Sequence, residues 1–458
     1  MTALDDGTTG IGRPGDSAFA AATRTFNLAA PPSPAAATTA RTVADVQRAV
    51  RHAVADGLGV RTYTTGHAAS SFGPMADALL VRTALTGDVE VDVAGRIARI
   101  PGGALWGDVV AATSPHGLVS AHGTASSVGV VGYLLRGGVS SYGRQLGLAP
   151  NTIRAIELVV ADGSVVRVDA DHDADLFWAL RGGGGGFGVV TAVEIALFEV
   201  PAVITGASFW PVAYASELVP AWRAWTVDAP NSASTSLRVL NLPPVPGVPP
   251  ALSAGPLVCV DGVVLSRTAD LTGAHHVFDG LLGPLRAIAD PVMDTWHEAS
   301  PDDVPKTHMD PPNPVPSTSD HLLLDDVDDD GISAFLKETG PGSPLLAAEL
   351  RQLGGALAVP DRSGGVLNHV TGQFICQCIG SAVNDEVTNA GKARAAVVRT
   401  ALAPWDTGRT IPSFVGTRDQ PQRHLDADQI VAVDQVRQRV DPNGLFRGDI
   451  SPNATGSY

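Results

Sequence analysis

Arg61-Thr-Tyr-Thr-Thr-Gly-His67 is the stretch on which the reading of the chain turns. It follows a predicted helix and a short predicted strand, bends at Gly66 and ends on an imidazole. Ala68-Ala69-Ser70-Ser71 come next, side chains small enough for a large ligand to lie against the backbone. A lone histidine after a glycine is most often a turn residue. Two further small-residue stretches change that weighting. His122-Gly-Thr-Ala-Ser-Ser-Val-Gly-Val-Val-Gly132 runs into Arg136-Gly-Gly138, and Arg181 is followed by five glycines, Phe187 and Gly188.

Upstream, Thr42 is a good helix N-cap with Asp45 in the first turn, Val43, Val46, Val50 and Val54 supply one apolar face, and Gly57 ends the helix. The strand from Gly59 then leads into the His67 loop. This order suits a cradle in which backbone N–H groups face a phosphate. Short strands are predicted at 78–83, 88–93 and 96–100, a hairpin at 153–168 turning at Asp162-Gly163, and a long strand from Val189 to Val200. Gly183, Gly185 and Gly188 fit G-x-G-x-x-G, but the pattern follows a helix and opens a strand. The dinucleotide fingerprint needs the reverse, so a Rossmann reading is rejected.

The three stretches, in this order, resemble the FAD-binding domain of the vanillyl-alcohol-oxidase/PCMH type flavoproteins, and most nearly the berberine-bridge-enzyme-like bacterial oxidases. The resemblance runs from about residue 18 to 200 and returns at 425–450. The first loop of that family reads Arg-x-x-Gly-Gly-His; here Thr65 stands at the first glycine, while Gly66 and His67 match. The resemblance implies an α+β fold: a two-subdomain FAD-binding domain (1–200), a substrate domain with an antiparallel sheet backed by helices (201–420), and a C-terminal segment (421–458) that returns to the FAD domain. It implies FAD contacts from Thr64, Thr65, Gly66, His67 and Ala68 in the first loop. The second stretch would add His122, Gly123, Thr124, Ser126, Ser127, Gly129 and Gly132, then Gly137 and Gly138. Gly188, Val190 and Asn443 complete the set. His67 would carry the flavin covalently. Relatives with a second link use a cysteine where this chain has Ala125, so one link at most is expected. Arg136 stands at a usual glycine and Gly186 at a usual asparagine. Arg418 to His424 replaces a usual Tyr-Gly pair and Asn, which puts the flavin contacts of that segment in doubt.

The resemblance also implies an oxidase acting on an alcohol or amine of a medium-sized organic molecule, in bacterial secondary metabolism, with molecular oxygen as acceptor. Oxidative cyclisation, hydroxylation, or flavin binding without catalysis are the alternatives. Oxidation needs a base for the hydroxyl or amine proton. Glu349, in Glu349-Leu-Arg-Gln-Leu-Gly-Gly-Ala, is one candidate, with an ion pair to Arg351 as its other reading. His369 and Tyr142 are the others, each with a purely structural alternative.

Composition agrees with such a protein. A chain of 458 residues can bury more than one core, and much of its glycine lies in the loops quoted. A net charge of −16 with no basic run argues against nucleic-acid binding. Three cysteines and an N-terminus without basic region or apolar run predict a cytoplasmic, reducing location. No apolar segment reaches membrane-spanning length. Cys376 and Cys378 share one face of a predicted strand and read as small buried hydrophobes. Asp325 to Asp330 lacks the Gly and Glu of a Ca²⁺ loop and reads as a solvated acidic turn, so no metal is expected. Residues 1–17 are expected to be loose, 299–320 to form a long proline-rich loop, and 366–379 a strand pair.

Overall fold

A computed structural model describes residues 10–245, 248–420 and 422–448; part of the 1–17 stretch, residues 1–9, lies outside the described residues. Three sheets carry the architecture. In the first, Ala36–Ala40 and Gly59–Tyr63 flank Ala78–Thr83 in parallel. The helix Val43–Ala55 crosses between them. Its start is fixed by reciprocal bonds: the Thr42 hydroxyl accepts from Asp45 N and the Asp45 carboxylate accepts from Thr42 N. The buried stripe is Val46, Ala49, Val50 and Ala53. Val54, expected on that face, is 57% exposed, because it falls about a quarter-turn from the centre of the stripe.

The end of the chain closes this sheet. The helix Ala427–Val440 stops at Asp441, whose carboxylate accepts the N–H groups of Leu445 (2.9 Å) and Phe446 (2.7 Å). That turn sends Leu445–Arg447 alongside Gly59–Tyr63. Val60 donates to the Leu445 carbonyl at 2.7 Å and accepts from Arg447 N at 2.8 Å.

The second sheet is antiparallel, in the order Glu90–Asp92, Ile97–Pro101, Val189–Ala196, Ile153–Val159, Val165–Asp169. The single strand expected over 189–200 is two. Phe198–Glu199 leaves the sheet to pair with Leu118–Val119. The five-glycine run before it takes φ values of 83–105° at Gly182, Gly184, Gly185 and Gly186, a path closed to residues with a Cβ. Arg437 holds that path by donating to the Gly183 and Gly185 carbonyls, each at 3.0 Å.

The third sheet is also antiparallel. Its order is Met293–Asp294, Ala202–Pro211, Leu257–Ser266, Ala233–Leu240, Leu345–Gln352, Phe374–Ser381, Ser317–Leu324. Strand alternation gives it two unlike faces. Leu237, Val239, Val258, Val260 and Leu350 meet the helices Ala215–Val227, Thr272–Ile288, Asp329–Thr339 and Asp385–Ala401 around Trp210, Trp222 and Phe335. Cys376 and Cys378 lie in this core, and all three cysteines are free. The residues between them, Arg238, Asp261, Glu349 and Arg351, point the other way, towards the second sheet. The fold is α+β.

Two expected segments differ. The strand pair over 366–379 is one strand, Phe374–Ser381, because Val366, Leu367 and Val370 are drawn into the core under the second sheet. The loop over 299–320 contains the turns Pro301–Asp303 and Val304–Thr307, and its end is already in the strand Ser317–Leu324. Asp328, within the acidic turn, caps the helix Asp329–Thr339 by accepting from Gly331 N at 3.0 Å. Among the described residues no helix is long and apolar enough to cross a membrane, and no three His, Cys, Asp or Glu side chains are grouped to hold a metal ion.

Candidate functional site

The His67 loop and the second stretch interlock. Gly66 takes φ 74°, and a Cβ there would lie 2.8 Å from the Thr25 methyl. Gly129 is the matching contact from the other side, where a Cβ would meet Thr64 Cβ at 2.9 Å. The Thr64 hydroxyl bonds that of Thr83 at 2.9 Å, which fixes the first loop to its own sheet. His67 stacks on Phe26, with ring centroids 3.7 Å apart and 15° between planes. Its Nδ1 is 2.7 Å from the Thr65 hydroxyl, so the residue that replaces the expected glycine orients the imidazole. Its Nε2 has only a long contact, 3.4 Å, to the Ser127 hydroxyl. Burial lowers the pKa of His67 to about 4 against the opposing charge of Asp310, so the ring is neutral at pH 7.

The second stretch contributes hydroxyls more than charge. His122 is buried, its Nδ1 lies 2.7 Å from the Gly123 carbonyl, and burial brings its pKa to about 4. The Thr124 hydroxyl donates to Asp310 at 2.6 Å, and the Ser126 carbonyl accepts from Gly107. A Cβ on Gly132 would meet nothing within 4 Å, so the backbone there opens on free space. Ser120, Tyr133, Ser141 and Tyr142 have buried side-chain oxygens with no partner among the described residues. These orphaned hydroxyls, the open backbone and the neutral imidazole fit a large polar cofactor laid along both loops. Gly137 packs on Leu367, and Gly138 accepts from Ala149 N through its carbonyl. Arg136 donates to the Pro412 carbonyl and the Ser71 hydroxyl, tying the first loop's small-residue run to the 411–414 segment.

Three expected contacts come from outside the two interlocked loops. Gly188 and Val190 belong to the strand end beside Val159 and Leu158, with Val190 in the core. Asn443 sits exposed in the turn that leads to Leu445. In the 418–424 stretch, Gln422 and His424 are buried at 4% and 5% exposure, and the Gln422 Oε1 atom has no hydrogen-bond partner among the described residues.

Opposite the second stretch, the polar face of the third sheet forms a charged cluster under a cavity. Thr124, Ser140 and Ser141 line one wall, and Asp261, His308 and Arg351 the other. Cross-strand pairing makes the cluster: Arg238 is paired in register with both Cys259 and Glu349. Arg238 meets Asp261 at 2.6 Å, and Arg351 Nε meets Glu349 at 2.7 Å. Burial would raise the Asp261 carboxyl, but the Arg238 guanidinium outweighs it and brings its pKa to about 2. Burial would likewise raise Glu349, and the Arg351 guanidinium holds it below its ordinary value.

Of the sequence candidates for a base, Glu349 is clamped by Arg351 and does not line the cavity. Tyr142 is fully buried with its ring edge-on to His122; burial raises its pKa well above the ordinary phenol value. His369 bonds its neighbour Asn368 at 2.7 Å in the irregular segment before Phe374. The sequence reading missed His308, Asp310, Asp261 and Arg238. For Asp261 and Arg238 the available signal was weak, polar residues alternating with apolar ones in strands rich in branched side chains; His308 and Asp310 lie in irregular chain before Ser317 and offered none.

Residues 34–169 match the FAD binding domain family. (R)-6-hydroxynicotine oxidase of Paenarthrobacter nicotinovorans is 37% identical over 157 residues, 34% of this chain and 34% of that protein. Glucooligosaccharide oxidase of Sarocladium strictum is 36% identical over 183 residues, 39% of this chain and 36% of that protein. The chain thus spans little more than a third of each of these relatives. Whole-chain likeness comes from structure. BBE-like 1 of Physcomitrella patens superposes with TM-score 0.79 at 21% identity, covering 98% of this chain and 97% of that one. Glucooligosaccharide oxidase of Acremonium strictum, described as carrying 6-S-cysteinyl, 8α-N1-histidyl FAD, superposes with TM-score 0.77 at 19% identity over 97% of both chains.

Proposed function

We propose that this chain, which has the FAD binding domain and the fold of the berberine-bridge-enzyme-like flavoproteins of the vanillyl-alcohol-oxidase/PCMH type, is an FAD-dependent oxidase of an alcohol or amine. The substrate is a medium-sized organic molecule, in bacterial secondary metabolism, and molecular oxygen is the acceptor. Residues 1–200 and 421–458 hold the cofactor, and 201–420 cover the substrate. The observation that carries the reading is the interlocked pair of loops around His67, inside the segment matched to the FAD binding domain.

FAD supplies two-electron oxidation of a carbon bearing a hydroxyl or amine. The chain's residues bind and orient. Thr64 to Ala68 and His122 to Gly132 hold the cofactor through backbone and hydroxyl groups, with Gly137, Gly138, Gly188, Val190 and Asn443 shaping the surrounding backbone. His67 presents a neutral imidazole, the form competent to bond carbon, and is the single covalent attachment point. Ala125 offers no second one. The charged face of the third sheet keeps the cavity polar and closes it from the other side. The three buried, free cysteines accord with a cytoplasmic location.

The test is acid precipitation of the purified protein. Flavin absorbance should stay with the pellet, and His67→Ala should move it to the supernatant. Anaerobic bleaching of the bound flavin by 6-hydroxynicotine and by glucose, xylose and chitin oligosaccharides then reports oxidase chemistry. Protein that holds no flavin, or flavin that no compound bleaches, overturns the proposal.

A further inference from the structure

His308 lies in the proline-rich segment that the sequence leaves without pattern, yet it is 5% exposed and faces the cavity between the two halves of the site. Its neighbour Met309 has φ 56°, a left-handed conformation that an unbranched, non-glycine residue rarely adopts. That reversal sends the two flanking side chains in different directions. Asp310 goes to the Thr124 hydroxyl of the cofactor loop. His308 goes down onto the charged face of the third sheet.

Two neighbours there fix its tautomer. Nδ1 lies 3.2 Å from an Asp261 oxygen, and Arg238 keeps that carboxylate ionised, so it can only accept. Nδ1 must therefore carry the proton. Nε2 lies 3.4 Å from Arg351 Nη2, and a guanidinium can only donate. Nε2 must therefore present its lone pair. The same nitrogen has Glu349 at 3.9 Å and Asp310 at 4.0 Å, two carboxylates placed to stabilise a positive ring. Cys259, the remaining titratable group of the cluster, is a neutral thiol because burial pushes it up to about 12.

We propose that His308 is the catalytic base of this site, taking the hydroxyl or amine proton of the substrate on Nε2, with Asp261 as its positioning residue. The inference rests on the oxidase reading above. In the step, the substrate O–H or N–H bond breaks and its proton bonds Nε2. The adjacent C–H bond breaks with its electron pair, the hydrogen leaving as hydride to the flavin as oxidant, and a C=O or C=N bond forms. The imidazolium then sits among Asp261, Glu349 and Asp310 until it returns the proton to water. An Asp–His pair placed this way holds one tautomer and one ring orientation, which is what a proton acceptor needs before substrate arrives.

The experiment has two arms on the FAD-loaded protein. In the first, ¹⁵N NMR of histidine-labelled protein at pH 8, with the His308 signals assigned by their loss in His308→Gln, reads the ring directly. A neutral Nδ1–H tautomer is expected, lost or mixed in Asp261→Asn; a neutral Nε2–H tautomer in the wild type overturns the proposal. In the second, anaerobic flavin reduction is followed with the amine and sugar compounds named above. His308→Gln should keep its flavin absorbance and thermal midpoint while reduction slows by about 100-fold or more, the usual range for a lost base. Asp261→Asn should slow it less. If the wild type reduces and His308→Gln reduces equally fast, the role of His308 falls and the oxidase reading stands. If no compound reduces the wild-type flavin, the oxidase reading falls and takes this assignment with it.

Discussion

Replacing Glu349 separates a carboxylate that takes protons from one that holds a neighbour in place. It is 1% exposed, and its oxygens receive Arg351 Nε at 2.7 Å and Nη2 at 3.3 Å. Glu349→Leu leaves the Arg351 guanidinium buried without its closest counter-charge. Breaking a buried ion pair from one side costs about 3–5 kcal/mol. Arg351→Met strands the carboxylate instead and should cost a similar amount. The double variant removes both charges together. If the two act as a pair, its stability lies at least about 2 kcal/mol above the sum of the single losses, a coupling within the range seen for contacting residues. Urea midpoints read by tryptophan fluorescence give the three differences from one series. Strict additivity would refute the pairing. A parallel measurement addresses the chemistry. Glu349→Gln keeps the shape, loses the charge, and should leave flavin reduction within about 10-fold of wild type. A loss of about 10²–10⁴-fold, the range of a missing base, would return Glu349 to that role.

Gly129→Val pushes a branched side chain into Thr64, so flavin incorporation should fall sharply, and Thr64→Gly in the same chain should restore part of it; equal flavin content in Gly129→Val and wild type refutes the interlock. Asp261 has a folded pKa of about 2, depressed below the ordinary aspartate value of about 3.9. Its contribution to stability is therefore full above about pH 4 and lost as pH falls towards 2, amounting to about 2 kcal/mol. Asp261→Asn should flatten the acid limb of the stability curve by that amount, measured by urea midpoints between pH 5 and 2.5. Thr124→Val deletes the hydroxyl that donates to the part-exposed Asp310 carboxylate, at a cost of about 0.5–1.5 kcal/mol. The same urea series checks this, and a midpoint within error of wild type refutes it.

Much of the first half of the chain could be read from local chemistry. Thr42 and Asp45 announce the start of Val43–Ala55, and the Gly66-His67 turn stands where small residues on three stretches converge. Each signal lies within a few residues of the feature it specifies. The charged face of the third sheet was hidden for a physical reason. Arg238, Asp261 and Glu349 come from three strands and become one cluster only when antiparallel pairing puts them in register. Glu349 stood out because Arg351 follows two residues later. Arg238 and Asp261 had no such local partner. His308 depends on the Met309 reversal, which no periodicity encodes. The segment 366–373 was misread for the converse reason: its branched residues look like a strand, and they are consumed in the core of the other sheet.

The return of Leu445–Arg447 to the edge of Gly59–Tyr63 bears on how the protein is made. The neighbour of Val60 is synthesised 385 positions after it, which at about 5–20 residues per second is a wait of roughly 20–80 s. Through that interval the first sheet has an unpaired edge and the His67 loop hangs from it. A nascent chain stalled before Asp441 would expose that edge to its neighbours on the same polysome. Cofactor loading, if it requires the closed sheet, then waits until Leu445–Arg447 have left the ribosome.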